Sequence, residues 1–586
     1  MTVLVAIPVY RISCKVGIDK ARPWSVVDES LLWAVHQGPT TIGALASRAA
    51  LPRQIVVASL ARMMRFRLLE AVIGEDGQAG FRPSEYGARI IASGGSLPYF
   101  PKQTSRRVGF TLERATGYMY PTRDARPISM AKIERERSAG VDVRIVTVEG
   151  APPMSHEANV TRLCTMVERA HDEQLAFIDP HTSSLREDEF LAVRVVDGVF
   201  HGLPAGATSQ LRTVISNAAA APTGAAPALA VYSGPAEDTT PCSVRCEFDP
   251  SDLVVGGDAH RECLLRLLER AERRAIIHST FLSDQRFGAL FDRFREACLR
   301  GVSIDILWGA SSSENAIAQH ESEAALLMKR VLADPETRGG IRVHMQSTAS
   351  HAKAVLVDTP EGEWIAAVGS CNWIWSPFHS VEVSVVLRDP AAVAEVARAL
   401  QRLIGRRPGL SHPIANELAL IARDQRKKGK GVGPALVTVL VGDDHDRLLR
   451  AASGEAKTRM VIGSHRLGAT ARTGAVLQAE AAARAGASVC VLYTMPSGPL
   501  KKPDARELTR ESAGHGVVLT KVAVPLHAKF VAWDDDDVLV TSFNWAAADT
   551  DPNDPFGELG VHAHATGIAS DLLSRISALV PDLSLP

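Results

Sequence analysis

The 586-residue chain has almost no net charge: 65 Lys and Arg against 66 Asp and Glu leave −1. That balance argues against a protein whose whole surface coats nucleic acid or an anionic membrane, while leaving room for local basic patches. Cysteine is sparse, eight residues at 14, 164, 242, 246, 263, 298, 371 and 490 with no dense framework. Such scatter excludes a disulfide scaffold and fits free thiols in a reducing compartment. Cys242-x-x-x-Cys246 has no second Cys or His pair nearby at zinc spacing, so it reads as two ordinary thiols. Aromatic residues make up only 5% of the chain, so no stacking platform for single strands is evident. No run of about eighteen apolar residues occurs, so no membrane span is expected. Met1–Tyr10 is apolar but lacks a basic leading region and is interrupted by Pro8, which suits a first strand rather than a signal peptide. A cytoplasmic protein is the expectation.

What is present divides into several units, since the length exceeds one core of roughly 100–200 residues. The expected division is an N-terminal strand or extension (1–25), a winged helix (26–100), an α/β or linker region of uncertain kind (101–244), and two α/β lobes (245–424 and 425–586). In the second unit, apolar spacing predicts helices over Asp28–His36, Ile42–Ala50 (capped by Thr40-Thr41) and Arg53 to about Arg67, with Ile55, Val56, Leu60 and Met63 or Met64 inward. Short strands Leu68–Ile73 and Gly80–Arg82 flank the turn Gly74-Glu75-Asp76-Gly77, and Ser84–Ala92 closes with a helix. This order resembles the MarR-like winged-helix regulators. Arg53, Arg62, Arg65 and Arg67 follow one another on the third helix with no acidic residue between them, which suits a helix set against DNA phosphates. Such a domain serves equally well for dimerisation or protein docking, with the arginines solvated.

The 101–244 region is less legible. Gly140–Glu149 and Phe190–Phe200 read as strands, Asn159–Gln174 as an amphipathic helix, and the Ala/Pro-rich Asn217–Ala230 as a linker or loose helix.

From Ala259 onward the chain repeats itself. Helices over Arg261–Arg273, Phe287–Arg300 and Glu314–Leu332 alternate with strands over Ala275–Ser279, Val302–Trp308 and Ile341–Met345. The second copy places helices over His445–Ala452 and Ala475–Gly486 among strands over Thr458–Ile462, Ala487–Thr494 and Gly516–Val522. Gln425–Gly431 between the copies reads as a solvated basic linker. Each copy then carries His-x-Lys-x4-Asp, namely His351–Asp358 and His527–Asp534, and each is followed by a tetrad ending in Asn-Trp, Ser370–Trp373 and Ser542–Trp545. A strand would put His351 with Lys353, and His527 with Lys529, on one face each. Two histidines and two lysines in one cleft suit an anionic phosphodiester: one imidazole attacks phosphorus, the other protonates the leaving oxygen, and lysines and asparagines hold the charged oxygens. Asp534–Asp537 reads as a hairpin turn rather than a metal site, and His562-x-His564 has no evident third ligand.

These motifs resemble the phospholipase D superfamily over about residues 245–586. The resemblance implies a two-lobed α/β pseudo-dimer of duplicated lobes and a reaction through a phosphohistidine, with no cofactor and no metal. It implies His351 as nucleophile and His527 as general acid and later base. Lys353, Lys529, Asn372 and Asn544 would serve the phosphate. It also implies an acidic residue after each Asn that orients a histidine, a place filled by Glu382 and Glu558. Asp358, Asp534, Ser370 and Ser542 are supporting residues. A nuclease steered to DNA by the winged helix is the first functional expectation, with a role in bacterial defence and partners in a multi-subunit system as family-level extensions. A lipid phosphodiesterase or phosphatidyltransferase is the alternative, and a DNA-binding regulator or assembly subunit the third.

Overall fold

In the computed structural model the described residues are all but 1, 21–23, 39, 74–78, 94–101, 150–156, 171–172, 223–228, 232–240, 310–313, 405–412, 430, 548–556, 582 and 584. The chain forms two compact units, one of Ile12–Phe110 and Arg162–Leu185, the other of Met1–Arg11, Thr111–Thr161 and Arg186–Pro586.

The smaller unit contains helices Val26–His36, Ile42–Ala49 and Arg53–Arg65, a hairpin of Leu69–Ile73 with Ala79–Pro83, and helix Glu85–Ser93. Ser25 and Asp28 form a reciprocal cap on the first helix, and Thr41 accepts from Ala44 N–H at the start of the second. Leu31, Leu32, Val35, Leu45, Val56, Leu60 and Met63 make the shared core. Ile55 is not among them: it is exposed, as are Val57 and Met64 on the same helix. The turn Gly74–Gly77 lies outside the described residues.

In the larger unit the N-terminal segment is no extension. Val3–Ala6 pairs in parallel with Asp142–Ile145, so its alternating apolar residues have a core to fill. Strands Thr2–Lys20, Lys102–Glu113 and Glu173–Val196 contribute residues to both units. The helix expected to reach Gln174 stops at Val167, and Glu173 already begins a strand.

The C-terminal half holds two sheets of matching design. The first runs in the order Leu253–Val255, Val383–Leu387, Trp364–Gly369, Ala354–Asp358, Arg274–Ser279, Ser303–Trp308, Ile341–Val343. The second runs Ala435–Val441, Leu559–His564, Asp537–Thr541, Phe530–Trp533, Arg459–Leu467, Ser488–Pro496, Val517–Lys521, with Ser243–Cys246 added outside Ala435–Val441. In both, the first four neighbouring pairs are antiparallel and the last two parallel. Apolar residues from both sheets, including Leu356, Ala366, Val368, Val461, Phe530 and Val540, share one core with helices Pro390–Ile404 and Pro413–Lys428.

Four expectations need correction. A boundary at 245 cuts through strand Ser243–Cys246, which belongs to the second sheet because Ala435–Val441 satisfies its backbone. Gln425–Lys428 is the last turn of a helix, with Gln425 buried, so a free linker does not begin there. Helix Lys502–Gly514 was not foreseen. Finally, the strands begin at Ala354 and Phe530, so both His-x-Lys tripeptides precede their strands rather than lying on them.

Candidate active site

The His-x-Lys segments leave their own sheets because their backbone is bonded to the opposite half. Ser350 bridges Gly557, and Val381 bridges Leu526, both in parallel sense. His351 N–H donates to Gly557 O at 2.8 Å, while His527 and Ala528 N–H donate to Val381 O at 2.9 and 2.8 Å. The residue after each bridging carbonyl is a glutamate, Glu558 and Glu382. Each therefore lands beside the histidine of the other half. His351 Nδ1–H donates to the Glu558 carboxylate (2.9 and 3.0 Å), and His527 Nδ1–H to that of Glu382 (2.8 and 3.0 Å). An ionised carboxylate only accepts, so Nδ1 carries the proton and chemistry falls to Nε2.

Both glutamates are oriented in turn by the small residue that starts each Asn-Trp tetrad. Ser370 Oγ donates to Glu382 and accepts from Val383 N–H at 3.0 Å; Ser542 Oγ donates to Glu558 and accepts from Leu559 N–H at 3.0 Å. Lys353 Nζ donates to Thr280 Oγ1 and His351 O, both at 2.8 Å. Lys529 Nζ donates to His527 O at 2.7 Å and lies 3.3 Å from His527 Nε2. Among the described residues neither amide atom of buried Asn372, nor Asn544 Oδ1, has a hydrogen-bond partner.

Burial and charge set the protonation states. Burial pulls both imidazoles below their usual range, His527 to about 4, against the pull of the glutamate bound to each. Burial also lowers Lys353 to about 7, helped by the charge of Lys529, and lowers Lys529 to about 8. For Glu382 and Glu558 burial acts upward, yet His527 and His351 together with the lysines hold them at about 2. The site is thus a pair of carboxylate-backed imidazoles with two buried amines whose charge is poised near neutrality.

The two aspartates sit away from this chemistry and share one task. Asp358 accepts from the backbone N–H of Glu272, Arg273 and Arg274 (3.3, 2.9 and 2.7 Å). Asp534 accepts from Lys457, Thr458 and Arg459 N–H (3.1, 2.8 and 3.4 Å). Each fastens the start of the strand beside its own.

Among residues the sequence reading missed are Thr280, the partner of Lys353, and His465. The His465 ring lies 4.9 Å from His527 and its Nδ1 bonds Leu526 O at 3.0 Å. A signal existed: each follows Arg-x4-Ser, in Arg274–Ser279 and Arg459–Ser464. His562 and His564 both bond Asp537 at 3.0 Å, and among the described residues no cluster fit for a metal occurs.

The four arginines in the smaller unit separate. Arg53 and Arg65 are exposed on the third helix. Arg62 instead turns inward, 3.4 Å from Asp28 and with its guanidinium 4.1 Å from the Trp24 ring centre. Arg67 lies beyond the helix end, in left-handed backbone with φ of 57°. Of the four arginines expected on the third helix, Arg53, Arg62 and Arg65 lie on it and Arg67 lies beyond its end.

The fold and site define an α/β protein that brings two glutamate-backed histidines and two buried lysines together. Residues 264–404 match the family described as "Cardiolipin synthase, PLD-like domain". That match holds His351, Lys353, Asn372 and Glu382, and stops short of His527. The chain is similar in structure to phosphatidylserine synthase of Haemophilus influenzae Rd KW20 (12% identity, TM-score 0.37, 57% of this chain and 86% of that one). It is also similar to the phospholipase D family member Nuc of Salmonella typhimurium (20%, TM-score 0.21, 24% and 91%). A third likeness is to yeast tyrosyl-DNA phosphodiesterase (11%, TM-score 0.32, 50% and 83%). No curated protein matches the chain. Among the described residues no helix is long and apolar enough to cross a membrane.

Proposed function

We propose that this protein is a phosphodiesterase of phospholipase D type, built as a pseudo-dimer, that cleaves nucleic acid through a phosphohistidine. The observation that carries the reading is the crosswise pair of His–Glu hydrogen bonds, His351 with Glu558 and His527 with Glu382. Such a pair gives one imidazole to attack and one to deliver a proton. His351 Nε2 attacks phosphorus, the bond to the leaving oxygen breaks, and that oxygen takes the Nε2 proton of the His527 imidazolium, a minority form above pH about 4 that the Glu382 carboxylate stabilises against burial. In the second step His527 removes a proton from water, the water oxygen bonds phosphorus, and the P–N bond breaks. Lys353, Lys529 and the side-chain NH2 groups of Asn372 and Asn544 donate to the non-bridging oxygens as charge builds.

Nucleic acid as substrate rests on the helix-hairpin-helix portion of the smaller unit, read as a winged helix whose exposed Arg53 and Arg65 face DNA phosphates. Ile55, Val57 and Met64, exposed on that helix, favour a protein contact there instead. A second reading, a lipid phosphodiesterase or phosphatidyltransferase, is favoured by the description of the family matched at 264–404. The test is to incubate wild type and His351→Ala in EDTA with labelled single-stranded DNA, duplex DNA, RNA and phosphatidylcholine vesicles. His351-dependent cleavage of a nucleic acid is expected; turnover of vesicles alone would replace this reading with the second.

A further inference from the structure

The two halves of the site diverge just past their matched strands. Ser279 Oγ donates to Phe281 O at 2.8 Å and Ser464 Oγ to Arg466 O at 2.9 Å, so Phe281 and Arg466 occupy equivalent places. By the same step after the Asn-Trp pairs, Trp375 stands where the other half has Ala547. Phe281 lies 6.4 Å from the His351 ring and 6.0 Å from Trp375, edge-on to both. Behind it, His320 stacks at 5.0 Å with 24° between the rings and holds the Phe281 ring in place. Trp375 is 44% exposed. On the other side stand His465, against His527, and exposed Arg466, whose charge reaches Lys529. One flank of the centre is therefore aromatic and open, the other cationic.

We propose that Phe281 and Trp375 form a platform on which the nucleobase next to the scissile phosphate stacks, on the His351 side. This rests on the nucleic-acid reading and adds a direction to it: base toward His351, continuing phosphate chain toward Arg466. A flat uncharged ring suits this wall because every base presents a π-face and stacking tolerates any sequence. A quaternary ammonium headgroup, the other ligand an aromatic wall attracts, meets Lys353, Lys529 and Arg466. The Glu382 and Glu558 carboxylates are already bound by histidine and serine. The low aromatic content of the chain hides this cluster, since stacking needs two rings in one place rather than many along the sequence.

The test compares full-length wild type, Trp375→Ala and Trp375→Phe on a labelled oligothymidylate and on an abasic phosphodiester chain of equal length, with His351→Ala as the blank. Trp375→Ala is expected to raise KM on the oligothymidylate about tenfold with kcat nearly unchanged, and Trp375→Phe to recover most of that. On the abasic chain, wild type and Trp375→Ala are expected to share one KM. An equal rise on both chains, or none on the oligothymidylate, overturns the platform while leaving the nuclease reading intact. If wild type cuts neither chain but does turn over phosphatidylcholine vesicles, the nucleic-acid reading itself has failed and the platform with it.

Discussion

Replacing Glu558 by Gln keeps size and shape but removes the charge that sets the tautomer of His351. In the wild type Ser542 Oγ donates to one carboxylate oxygen and His351 Nδ1–H donates to both, at 2.9 and 3.0 Å. A glutamine in that place keeps its carbonyl toward Ser542 and turns its NH2 toward Nδ1. His351 must then accept at Nδ1 and carry its proton on Nε2, where the attacking lone pair is needed. A wrong tautomer in a carboxylate-backed histidine costs about 10³–10⁴ in kcat. Glu382→Gln does the same to His527 and should lose a comparable factor on an ordinary phosphodiester. The two variants separate when the leaving group is changed. A p-nitrophenyl ester needs little protonation, so it should rescue Glu382→Gln substantially and leave Glu558→Gln impaired if His351 is the nucleophile. The assay is the pre-steady-state burst of p-nitrophenolate, which reads the first step before His527 must deprotonate water, beside cleavage of an unactivated substrate, with melting curves to confirm folding. If Glu558→Gln stays within about threefold of wild type on both, the crosswise hydrogen bond does not orient the histidine. Rescue of Glu558→Gln alone would exchange the two roles.

Four further outcomes are expected. Lys353 and Lys529, brought to about 7 and about 8 chiefly by burial, are charged below those values and neutral above them. The rate kcat/KM should therefore fall as pH rises through that interval, and a profile flat to about pH 9 would mean their charge is not used. In the opposite direction, His527 stays neutral in the fold down to about 4 but takes its proton near 6.5 when unfolded, so stability is full above about 6.5 and lost as pH falls toward 4; chemical denaturation across that range reads the slope. Asp358→Asn leaves three backbone N–H groups with a weaker acceptor and should cost about 1–3 kcal/mol of stability while sparing kcat per folded molecule. A loss of kcat without a loss of stability would give that aspartate a chemical role. In the smaller unit, Arg62→Ala should destabilise the helical core through Asp28 and Trp24. Arg65→Ala should leave folding alone and lower the salt dependence of any DNA affinity by about one unit of slope, measured by titration at several salt concentrations.

Much of this protein is legible along the chain because the signals are local. Helical apolar spacing and the capping Thr41 placed the small unit's helices within a few residues of where they stand. Two His-x-Lys-x4-Asp segments with Asn-Trp tails marked the residues that meet in the centre, because each motif sits on one short stretch and fixes its own neighbours. What the sequence alone could not decide is which half serves which. His351 is 207 residues from Glu558 and His527 is 145 from Glu382, and only the backbone bridges between halves bring each carboxylate to the other's histidine. The same bridges explain why the His-x-Lys segments are not strand: the N–H groups of His351, His527 and Ala528 are spent across the interface instead of within a ladder. Arg62 shows the limit from the other side. Charge counting set it beside Arg53 and Arg65, but it stands three residues after buried Ser59, so the helical repeat turns it to Asp28 on the neighbouring helix. Composition and local pattern determine what each segment is, whereas the fate of a charged side chain depends on what tertiary packing places opposite it.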